Sequence, residues 1–491
     1  MNPAVASFIK LLSGPLAAVL LLLFVDLVPG KPEVTRMAAI TIWVALWWLT
    51  EAVHIAVTSF IPLIFMPLLG VADVKVVASQ YMDQVIFLFI GGFLLAFGIE
   101  RWGLHRRLAL KILLILGSSP ARLLLGVMVC AFMLSMWVSN TATVMMLLSA
   151  VMSLIGQTER HSPTAARPVG TALLLGLAYS ASIGGMATLV GTPTNMIFAG
   201  YYRQNYPSGT ELSFVKWFLI GFPLALLFLL FCYALLYWFH LRKVKELTLD
   251  AGLLSKQYQE LGRLNYEEKV VGLVFGLTAF LWFSRSDIDL GYFTLRGWSH
   301  FFSKPDFIQD SVVAILGAFV LFFIPSKSRP ERHILEWEDA HKLPFAVILL
   351  FGSGFALAKG FELSGLNTWL AGQLSFLHQL PLFFLLLGLC LLIAILSEFA
   401  SNVASIQLML PILASMATTL QINPLLLMIP ATFAASLGFM LPVATAPNTI
   451  VFGTQRLTVR DMMKAGFWLD IVGAFIITMF AYWVSNLFLG I

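Results

Sequence analysis

The chain alternates long apolar stretches with short polar segments, and this pattern predicts its architecture. Many of the stretches approach the roughly 20 residues that a membrane-crossing helix requires. They lack the short alternating pattern of a transmembrane β-barrel, so helices are the structure that satisfies the backbone in lipid. We expect an all-α polytopic membrane protein with about 11 transmembrane helices, near residues 11–29, 37–52, 55–70, 84–99, 170–200, 214–240, 270–284, 311–325, 343–361, 424–453 and 465–489.

Two further apolar stretches, near 120–157 and 381–420, are long enough for the chain to enter the membrane and return. Basic residues flank the first stretch on both sides, whereas the flanks of the second contain no Lys or Arg. We therefore expect two re-entrant hairpins. Because Lys and Arg concentrate in cytoplasmic loops, the first hairpin should enter from the cytoplasm and the second from the outside.

Composition supports a membrane protein and excludes other classes. Charged residues make up 11% of the 491 residues and hydrophobic residues 59%, against roughly 25% charged in a soluble domain. Soluble enzymes, nucleic-acid-binding proteins and secreted disulfide scaffolds are excluded, because too few charges remain to coat a soluble surface. The net charge of +5 reflects basic cytoplasmic loops rather than an acidic partner.

The positions of the basic residues also predict the orientation. Loops that are rich in Lys and Arg should be cytoplasmic, and they lie at 101–111, 241–269, 326–342 and 454–464. Segments that are acidic or almost free of Lys and Arg should lie outside, and they are 201–213, 285–310 and 363–380. This pattern places the N-terminus in the cytoplasm and the C-terminus outside, in the cell inner (plasma) membrane.

A repeated segment divides the chain into two related halves. Residues 90–104 align with residues 352–366 at an offset of 262, with eight identities. Basic residues follow only the first copy, so the copies face opposite sides of the membrane. Such an inverted-topology repeat is typical of secondary transporters. We expect an N-terminal helix over 1–36, a first repeat over 37–240, a cytoplasmic linker over 241–269 and a second repeat over 270–491.

Polar triplets interrupt the middle of each predicted hairpin at the same offset. They are residues 139–141 (Ser-Asn-Thr) and 401–403 (Ser-Asn-Val). Ser, Asn and Thr favour helix N-caps, so each triplet starts a half-helix whose free N–H groups can bind an anion. A single triplet in a membrane helix is usually a packing feature, but duplication at matching positions indicates a transport site.

The next crossing of each copy contains a break with a Thr cap ahead of a Pro. The breaks are residues 191–195 (Gly-Thr-Pro-Thr-Asn) and 444–448 (Ala-Thr-Ala-Pro-Asn). Thr is a good N-cap and Pro fits the first helical turn, so each break starts another half-helix. Four half-helix N-termini are therefore available near the membrane midplane.

Few charged residues lie in the predicted core. Apart from Lys359 it contains no Lys or Arg, so a bound dianion would need bound cations as counter-charge, and unwound carbonyls beside the triplets suit Na⁺. Glu398 could coordinate a cation, carry a proton or lock the second hairpin; because the first copy has Met136 there, we favour a structural role. An enzyme would need a catalytic cluster and a channel one continuous lining, so both are disfavoured.

Together with the run 50–52 (Thr-Glu-Ala), the paired tips and breaks resemble the divalent anion/sodium symporters, the dicarboxylate, citrate and sulfate cotransporters. The resemblance implies a homodimer with a scaffold domain and a transport domain that moves by an elevator-type mechanism. It implies sodium-driven import of C4-dicarboxylates such as succinate, malate or fumarate. Citrate, sulfate and sodium-independent dicarboxylate exchange are the alternatives.

The resemblance also implies the site residues. The substrate would contact Ser139, Asn140, Thr141, Thr192, Ser401, Asn402, Val403, Thr445 and Pro447. One Na⁺ would use Ser135, Ser139, Asn140 and Gly191, and the other Ser397, Ala400, Asn402 and Ala444. Val403 stands where the fullest family pattern has a second Thr.

Overall fold

The computed structural model describes residues 3–116, 119–244, 252–289 and 294–488, and the regular secondary structure of these residues is almost entirely helical. Residues 245–251 of the predicted linker lie outside the described residues. The first seven helices precede the first hairpin. They are α1 (Pro3–Phe24), α2 (Pro32–Thr50), α3 (Ile55–Thr58), α4 (Ile61–Leu68), α5 (Val74–Ser79), α6 (Gln84–Arg101) and α7 (Leu104–Leu116).

The middle of the chain contains the first hairpin and the helices that follow it. These are α8 (Pro120–Ser135), α9 (Asn140–His161), α10 (Pro163–Met186), α11 (Pro193–Asn205), α12 (Phe214–Leu236), α13 (Gly252–Glu260) and α14 (Tyr266–Ser284). A π-helical turn, Tyr237–Leu241, extends α12. The described strands are β1 (Ile288–Asp289) and β2 (Thr294–Leu295), which pair antiparallel.

The last part of the chain contains the second hairpin. Its helices are α15 (Asp310–Phe323), α16 (Phe345–Ser364), α17 (Leu366–Gln373), α18 (Leu382–Phe399), α19 (Asn402–Leu420), α20 (Leu425–Ala434), α21 (Ala446–Phe452) and α22 (Val459–Phe488). Short 3₁₀ turns are Gln80–Met82, Trp298–Phe301, Pro305–Phe307, Trp337–Lys342 and Ser375–Gln379.

The chain is a multi-pass membrane protein. Within the described ranges, nine helices are long and apolar enough to cross a bilayer. Large apolar side chains such as Phe24, Phe280 and Phe384 are exposed on the outer surface, as lipid-facing side chains are. The all-α prediction is therefore confirmed, while the total of eleven crossings stays a prediction.

Two boundaries differ from the sequence prediction. The first helix, predicted over 11–29, ends at Phe24, because Pro29 and Gly30 follow and Gly30 has a positive φ of 84°. The predicted loop over 101–111 is wrong, since most of it belongs to α7. This helix buries Leu110 and Leu113 and exposes Arg106, so it is amphipathic. Its basic residues are the reason that the sequence predicted a loop here.

Segments with the same predicted side of the membrane contact one another. Arg107 of α7 and Glu268 of α14 form a buried ion pair at 2.9 Å, which joins two predicted cytoplasmic segments. On the predicted outer side, Arg285 pairs with Glu211 at 2.6 Å and with the buried Asp310. These pairs therefore close each end of the helix bundle without crossing it.

The two hairpins interlock with the broken helices of the opposite repeat. In the first hairpin α8 and α9 pack together across the break at 136–139, and in the second α18 and α19 pack together across Ala400 and Ser401. The half-helix α11 packs against α19 of the second hairpin, while α21 packs against α9 of the first. Each of these half-helices therefore lies beside a hairpin of the other repeat.

Candidate functional site

The tip of the first hairpin is organised by two serines. Ser139 caps α9, and its Oγ accepts the N–H of Ala142 at 3.3 Å. Ser135, the last residue of α8, donates its hydroxyl to Asn140 Oδ1 at 2.6 Å. The bond fixes the amide of Asn140 at the start of α9, next to the free N–H groups of the first helical turn.

The tip of the second hairpin repeats this arrangement. Ser401 caps α19, and its Oγ accepts the N–H of Ala404 at 3.2 Å. Ser397 donates to Asn402 Oδ1 at 2.7 Å. The Ser397 hydroxyl also lies 2.6 Å from the carbonyl oxygen of Ala435, which ties the tip to the segment after α20. The predicted duplication of the tips is therefore present in the side-chain bonds.

Two asparagines hold the broken crossings in equivalent shapes. In the first copy Asn195 Nδ2 donates to the carbonyl oxygens of Gly185 at 3.0 Å and Thr188 at 2.7 Å. In the second copy Asn448 Nδ2 donates to the carbonyl oxygen of Gly438 at 2.9 Å, and to that of Leu441 at 3.1 Å. Each asparagine closes the turn that precedes its own half-helix.

The threonines that start these half-helices differ in detail. Thr445 caps α21, and its Oγ1 accepts the N–H of Asn448 at 3.4 Å. Thr192 precedes α11 without a side-chain cap, and its Oγ1 accepts the Thr194 hydroxyl at 3.3 Å. Thr194 also lies 3.4 Å from Ser436 Oγ of the second copy, so the breaks of the two repeats touch.

The predicted residues of the first cation site come together around Gly185. A Cβ atom at Gly185 would lie 2.6 Å from Asn140 Oδ1 and 3.2 Å from the Gly191 carbonyl oxygen. Ser135 is bonded to the same amide, and Ser139 precedes it in the chain. Gly185 was not predicted from the sequence, and its importance follows from this close approach.

The second cation site is built in the same way around Gly438. A Cβ at Gly438 would lie 3.5 Å from Asn402 Oδ1, 3.5 Å from the Ser397 carbonyl oxygen and 3.4 Å from Ala444 Cβ. Ala400 lies in the same hairpin break, two residues before Asn402. Gly438 was also missed, although aligning the two breaks would have paired it with Gly185.

Burial divides the candidate residues into two layers. Ser135 and Ser397 are completely buried, and Gly191, Ala400 and Ala444 are also buried. The residues expected to contact substrate are mostly half-buried, and these are Ser139, Asn140, Thr141, Ser401, Asn402, Val403 and Thr445. Thr192 and Pro447 are buried. The residues assigned to a cation alone are therefore buried, while Ser139, Asn140 and Asn402, which are assigned to both a cation and the substrate, are half-buried.

The buried layer offers neutral oxygen ligands. Among the described residues, no group of three or more His, Cys, Asp and Glu side chains could hold a metal. Four buried oxygens in equivalent positions have no hydrogen-bond donor within the described residues: Thr143 Oγ1, Ser405 Oγ, Asn195 Oδ1 and Asn448 Oδ1. Hydroxyl, amide and carbonyl oxygens are the ligands that a hard cation prefers, so this donor set fits Na⁺.

Glu398 is bonded to the backbone and is completely buried. Its Oε1 accepts the N–H of Met440 at 2.7 Å, and its Oε2 accepts the N–H of Leu441 at 2.8 Å. Asp470 of α22 is a buried neighbour, and neither of its oxygens has a donor among the described residues. The two backbone bonds of Glu398 support the interpretation that it locks the second hairpin.

Other acidic and basic candidates lie away from the tips or are paired. Lys359 lies 2.8 Å from Glu362, so its charge is balanced on its own helix. Glu51, Glu100 and Glu362 are exposed. His54 caps α3, where its Nδ1 accepts the N–H of Ala56 at 3.3 Å.

Aromatic residues close the space beside the first tip. A cavity of about 30 Å³ lies between Ser139 and the α6 residues Phe89 and Phe93. This volume is about that of one water molecule in the liquid. The first tip thus packs closely against α6 in this conformation.

Comparison with protein families identifies the group to which these motifs are related. A family model described as "Sodium:sulfate symporter transmembrane region" matches residues 8–489. The match spans both hairpins, both broken crossings and the helices that pack around them. It agrees with the resemblance that the paired motifs carry.

Two relatives are similar to nearly the whole chain. The sodium-dependent dicarboxylate transporter SdcS of Staphylococcus saprophyticus is 40% identical, over 99% of this chain and 93% of its own length. SdcS of Staphylococcus aureus is 38% identical, over 98% of this chain and 92% of its own length. Both relatives therefore extend across every element of the site described above.

A solved structure shares the fold. The Alcanivorax borkumensis YdaH transporter, described as having an unusual topology, aligns with a TM-score of 0.50 and 13% identity. The alignment covers 92% of this chain and 98% of that chain. At this identity the likeness concerns the arrangement of helices alone.

Proposed function

The chain belongs to the sodium:sulfate symporter family, and from this membership we propose that it imports C4-dicarboxylates such as succinate, malate or fumarate together with Na⁺. The two SdcS relatives are named sodium-dependent dicarboxylate transporters, which supports both the coupling ion and the substrate class. In this proposal the protein is a transporter rather than an enzyme.

The layered arrangement of the two tips is the observation that carries the proposal. Half-helix N-termini point partial positive charge and free N–H groups at an anion, but no Lys or Arg stands among the candidate residues. A dicarboxylate would therefore remain under-neutralised in a site of low dielectric constant. Cations held by the buried oxygens beneath the tips would supply the missing charge.

We assign the residues accordingly. One Na⁺ is held by Ser135, Ser139, Asn140 and Gly191, and the other by Ser397, Ala400, Asn402 and Ala444. The substrate carboxylates contact Ser139, Asn140 and Thr141 with Ser401 and Asn402, joined by Val403, Thr192, Thr445 and Pro447. Because Asn140 and Asn402 belong to both sets, loss of a cation disturbs the groups that bind the anion.

The same proposal includes the movement and the assembly. The interlocked hairpins and half-helices form a transport domain that moves against a scaffold by an elevator-type motion, within repeats spanning 37–240 and 270–491. The protein is a homodimer in the plasma membrane with its N-terminus in the cytoplasm. The contacts of α11 with α19 and of α21 with α9 support joint movement of the two hairpins.

Sodium dependence of binding tests the proposal. Succinate binding to the purified protein is measured by calorimetry in sodium and choline buffers of equal ionic strength. We expect a lower apparent Kd in sodium, and succinate should raise the affinity for Na⁺ by the same factor, because coupling is reciprocal. Equal binding in the two buffers would favour sodium-independent exchange and contradict the proposal.

Competition tests the substrate class. Citrate and sulfate are added against labelled succinate during uptake into proteoliposomes with an inward sodium gradient. Succinate, malate and fumarate should compete most effectively. If citrate or sulfate displaces succinate at lower concentration, that anion is the substrate and the C4-dicarboxylate assignment is wrong.

A further inference from the structure

A basic, aromatic-lined pocket lies far from the hairpin tips, at the end of the bundle that carries the basic segments. Its volume is about 810 Å³, and it opens between the start of α10, the end of α12 and the start of α22. The lining includes Trp238, His240, Arg242, Lys243 and Lys464. None of these residues has a part in the proposed transport site.

Two of the three cations of this pocket pack against aromatic rings. Arg242, Lys243 and Lys464 are exposed, and no carboxylate within the described ranges forms an ion pair with them. Instead the Arg242 guanidinium lies 4.3 Å from the centre of the Trp238 ring, and the Lys464 ammonium lies 4.8 Å from the centre of the Phe239 ring. Two of the three positive charges are therefore held on aromatic faces, and all three are exposed to an incoming anion.

One carboxylate, Asp461, lies near His240 of this pocket, but among the described residues it forms no ion pair with the three cations. Asp461 is the acid closest in sequence to Lys464, and its Oδ2 accepts both the N–H and the hydroxyl of Thr458 at the start of α22. Glu159 is paired with Arg456. His240 also lines the pocket, and its buried Nε2 atom has no partner among the described residues.

The pocket stands where two lipid-facing surfaces end. On α12, Leu227 and Leu230 are exposed, and Trp238 continues the exposed surface with 59% of its area accessible. On α22, Phe467 and Trp468 are exposed one turn beyond Lys464. Trp beside basic residues at the end of apolar helix faces is typical of the membrane–water interface.

We propose that this pocket binds the phosphate headgroup of an anionic phospholipid. The three cations and His240 match a phosphate diester, and the exposed apolar faces of α12 and α22 provide surfaces for the acyl chains. A soluble phosphate would use the cations but would leave these apolar faces without a role. The proposal does not depend on which anion is transported.

Lipid retention tests the proposal. Purified full-length protein is titrated with phosphatidylglycerol or phosphatidylcholine in detergent, and bound lipid is measured by native mass spectrometry. The triple variant Arg242→Gln, Lys243→Gln, Lys464→Gln should bind phosphatidylglycerol on the order of a hundredfold more weakly, from about 1 kcal/mol per basic residue. Its binding of phosphatidylcholine should not change.

A matched triple variant controls for net charge. Arg106, Lys111 and Arg329 are exposed basic residues in other predicted cytoplasmic segments, so their change to Gln removes the same charge elsewhere. This variant should retain phosphatidylglycerol like the unmodified protein. Equal loss in both triples, or equal retention of the two lipids by the unmodified protein, would overturn the proposal.

Two further measurements distinguish a lipid phosphate from a soluble phosphate and locate the bound lipid. Soluble glycerol phosphate should not displace the lipid at millimolar concentration; if it does, the pocket is a site for free phosphate and the lipid proposal fails. Phosphatidylglycerol with brominated acyl chains should quench tryptophan fluorescence more than its phosphatidylcholine analogue. The difference should disappear in Trp238→Phe, and its persistence would place the lipid elsewhere.

Discussion

The two hairpin tips have the same internal hydrogen bonds but are anchored to the rest of the protein by different chemistry. In the first copy the Thr188 hydroxyl donates to the carbonyl oxygen of Met136. In the second copy Glu398 occupies the position of Met136 and accepts the N–H of Leu441. Leu441 is the counterpart of Thr188, because its carbonyl accepts the equivalent asparagine amide. The same pair of positions is therefore bonded in both repeats, but different chemical groups form the bond.

This difference bears on how firmly each tip is held. Glu398 makes two charge-assisted bonds, to Met440 and Leu441, whereas Thr188 supplies one neutral bond to Met136. Charge-assisted bonds are roughly twice as strong as neutral ones. We therefore expect the second tip to be anchored more strongly than the first.

Packing around the glycine is, by contrast, tighter in the first copy than in the second. The space around Gly185 in the first copy is closed by Asn140, whereas the atoms around Gly438 stand at ordinary contact distance. The first site is thus held by close packing and the second by polar bonds. Each of the following predictions changes one of these features in both copies.

The largest difference is expected from adding one methyl group at the two glycines. In Gly185→Ala the Cβ would lie 2.6 Å from Asn140 Oδ1, so the amide must shift, which disturbs its bond with Ser135. Overpacking of this kind costs about 1–3 kcal/mol, which corresponds to roughly a fivefold to hundredfold loss. Sodium-dependent succinate uptake should fall accordingly, while Gly438→Ala stays close to normal. Similar uptake by the two variants would contradict the packing difference.

The next effect concerns the anchors. Glu398→Met installs the residue of the first copy and leaves the N–H groups of Met440 and Leu441 without acceptors. A buried unsatisfied group costs about 1–3 kcal/mol, so thermal stability in detergent should fall clearly. Thr188→Val should lower it less, because the bond to the Met136 carbonyl is neutral and the Gly191 N–H, which the hydroxyl also accepts, retains the Thr188 carbonyl as an acceptor. Glu398→Gln retains an acceptor oxygen and should lie between the unmodified protein and Glu398→Met. A larger loss from Thr188→Val would reverse our ranking of the anchors.

A smaller effect is expected at the two serines beneath the tips. Ser135→Ala and Ser397→Ala each remove a proposed sodium ligand and should raise the Na⁺ concentration for half-maximal succinate binding. Ser397→Ala should act more strongly, since its hydroxyl lies close to both Asn402 and the Ala435 carbonyl. Ser415→Ala is the matched control, because Ser415 is buried on α19 and bonds within its own helix. If all three variants shift sodium dependence equally, the serines have no specific part in cation binding.

The sequence predicts features that depend on local chemistry and on the repeat. The helix caps Ser139 and Ser401 follow from the polar triplets, and their duplication marks them as a site. The role of Gly185 could not be predicted, because it depends on how closely α10 approaches the first tip. That approach is a property of packing between distant segments.

Two other features were also beyond the sequence analysis. The helix α7 was missed because its basic residues suggested a loop, while its apolar face is recognised only once the neighbours that cover it are known. The contact of α11 with the second hairpin and of α21 with the first was not predictable either. An internal repeat shows that two copies exist but not that they exchange partners.

The smallest effect is expected at the third position of each triplet, where Val403 of the second copy matches Thr141 of the first. Both side chains are half-buried beside a helix start, and Val403 also packs against apolar neighbours. Val403→Thr conserves the shape and adds a donor at the proposed carboxylate site. It should alter the relative competition of succinate, citrate and sulfate, by roughly the 0.5–1.5 kcal/mol of one hydrogen bond, and leave sodium dependence unchanged. Thr141→Val should shift the ranking in the opposite direction. An unchanged ranking in both variants, with normal uptake, would remove this position from the substrate site.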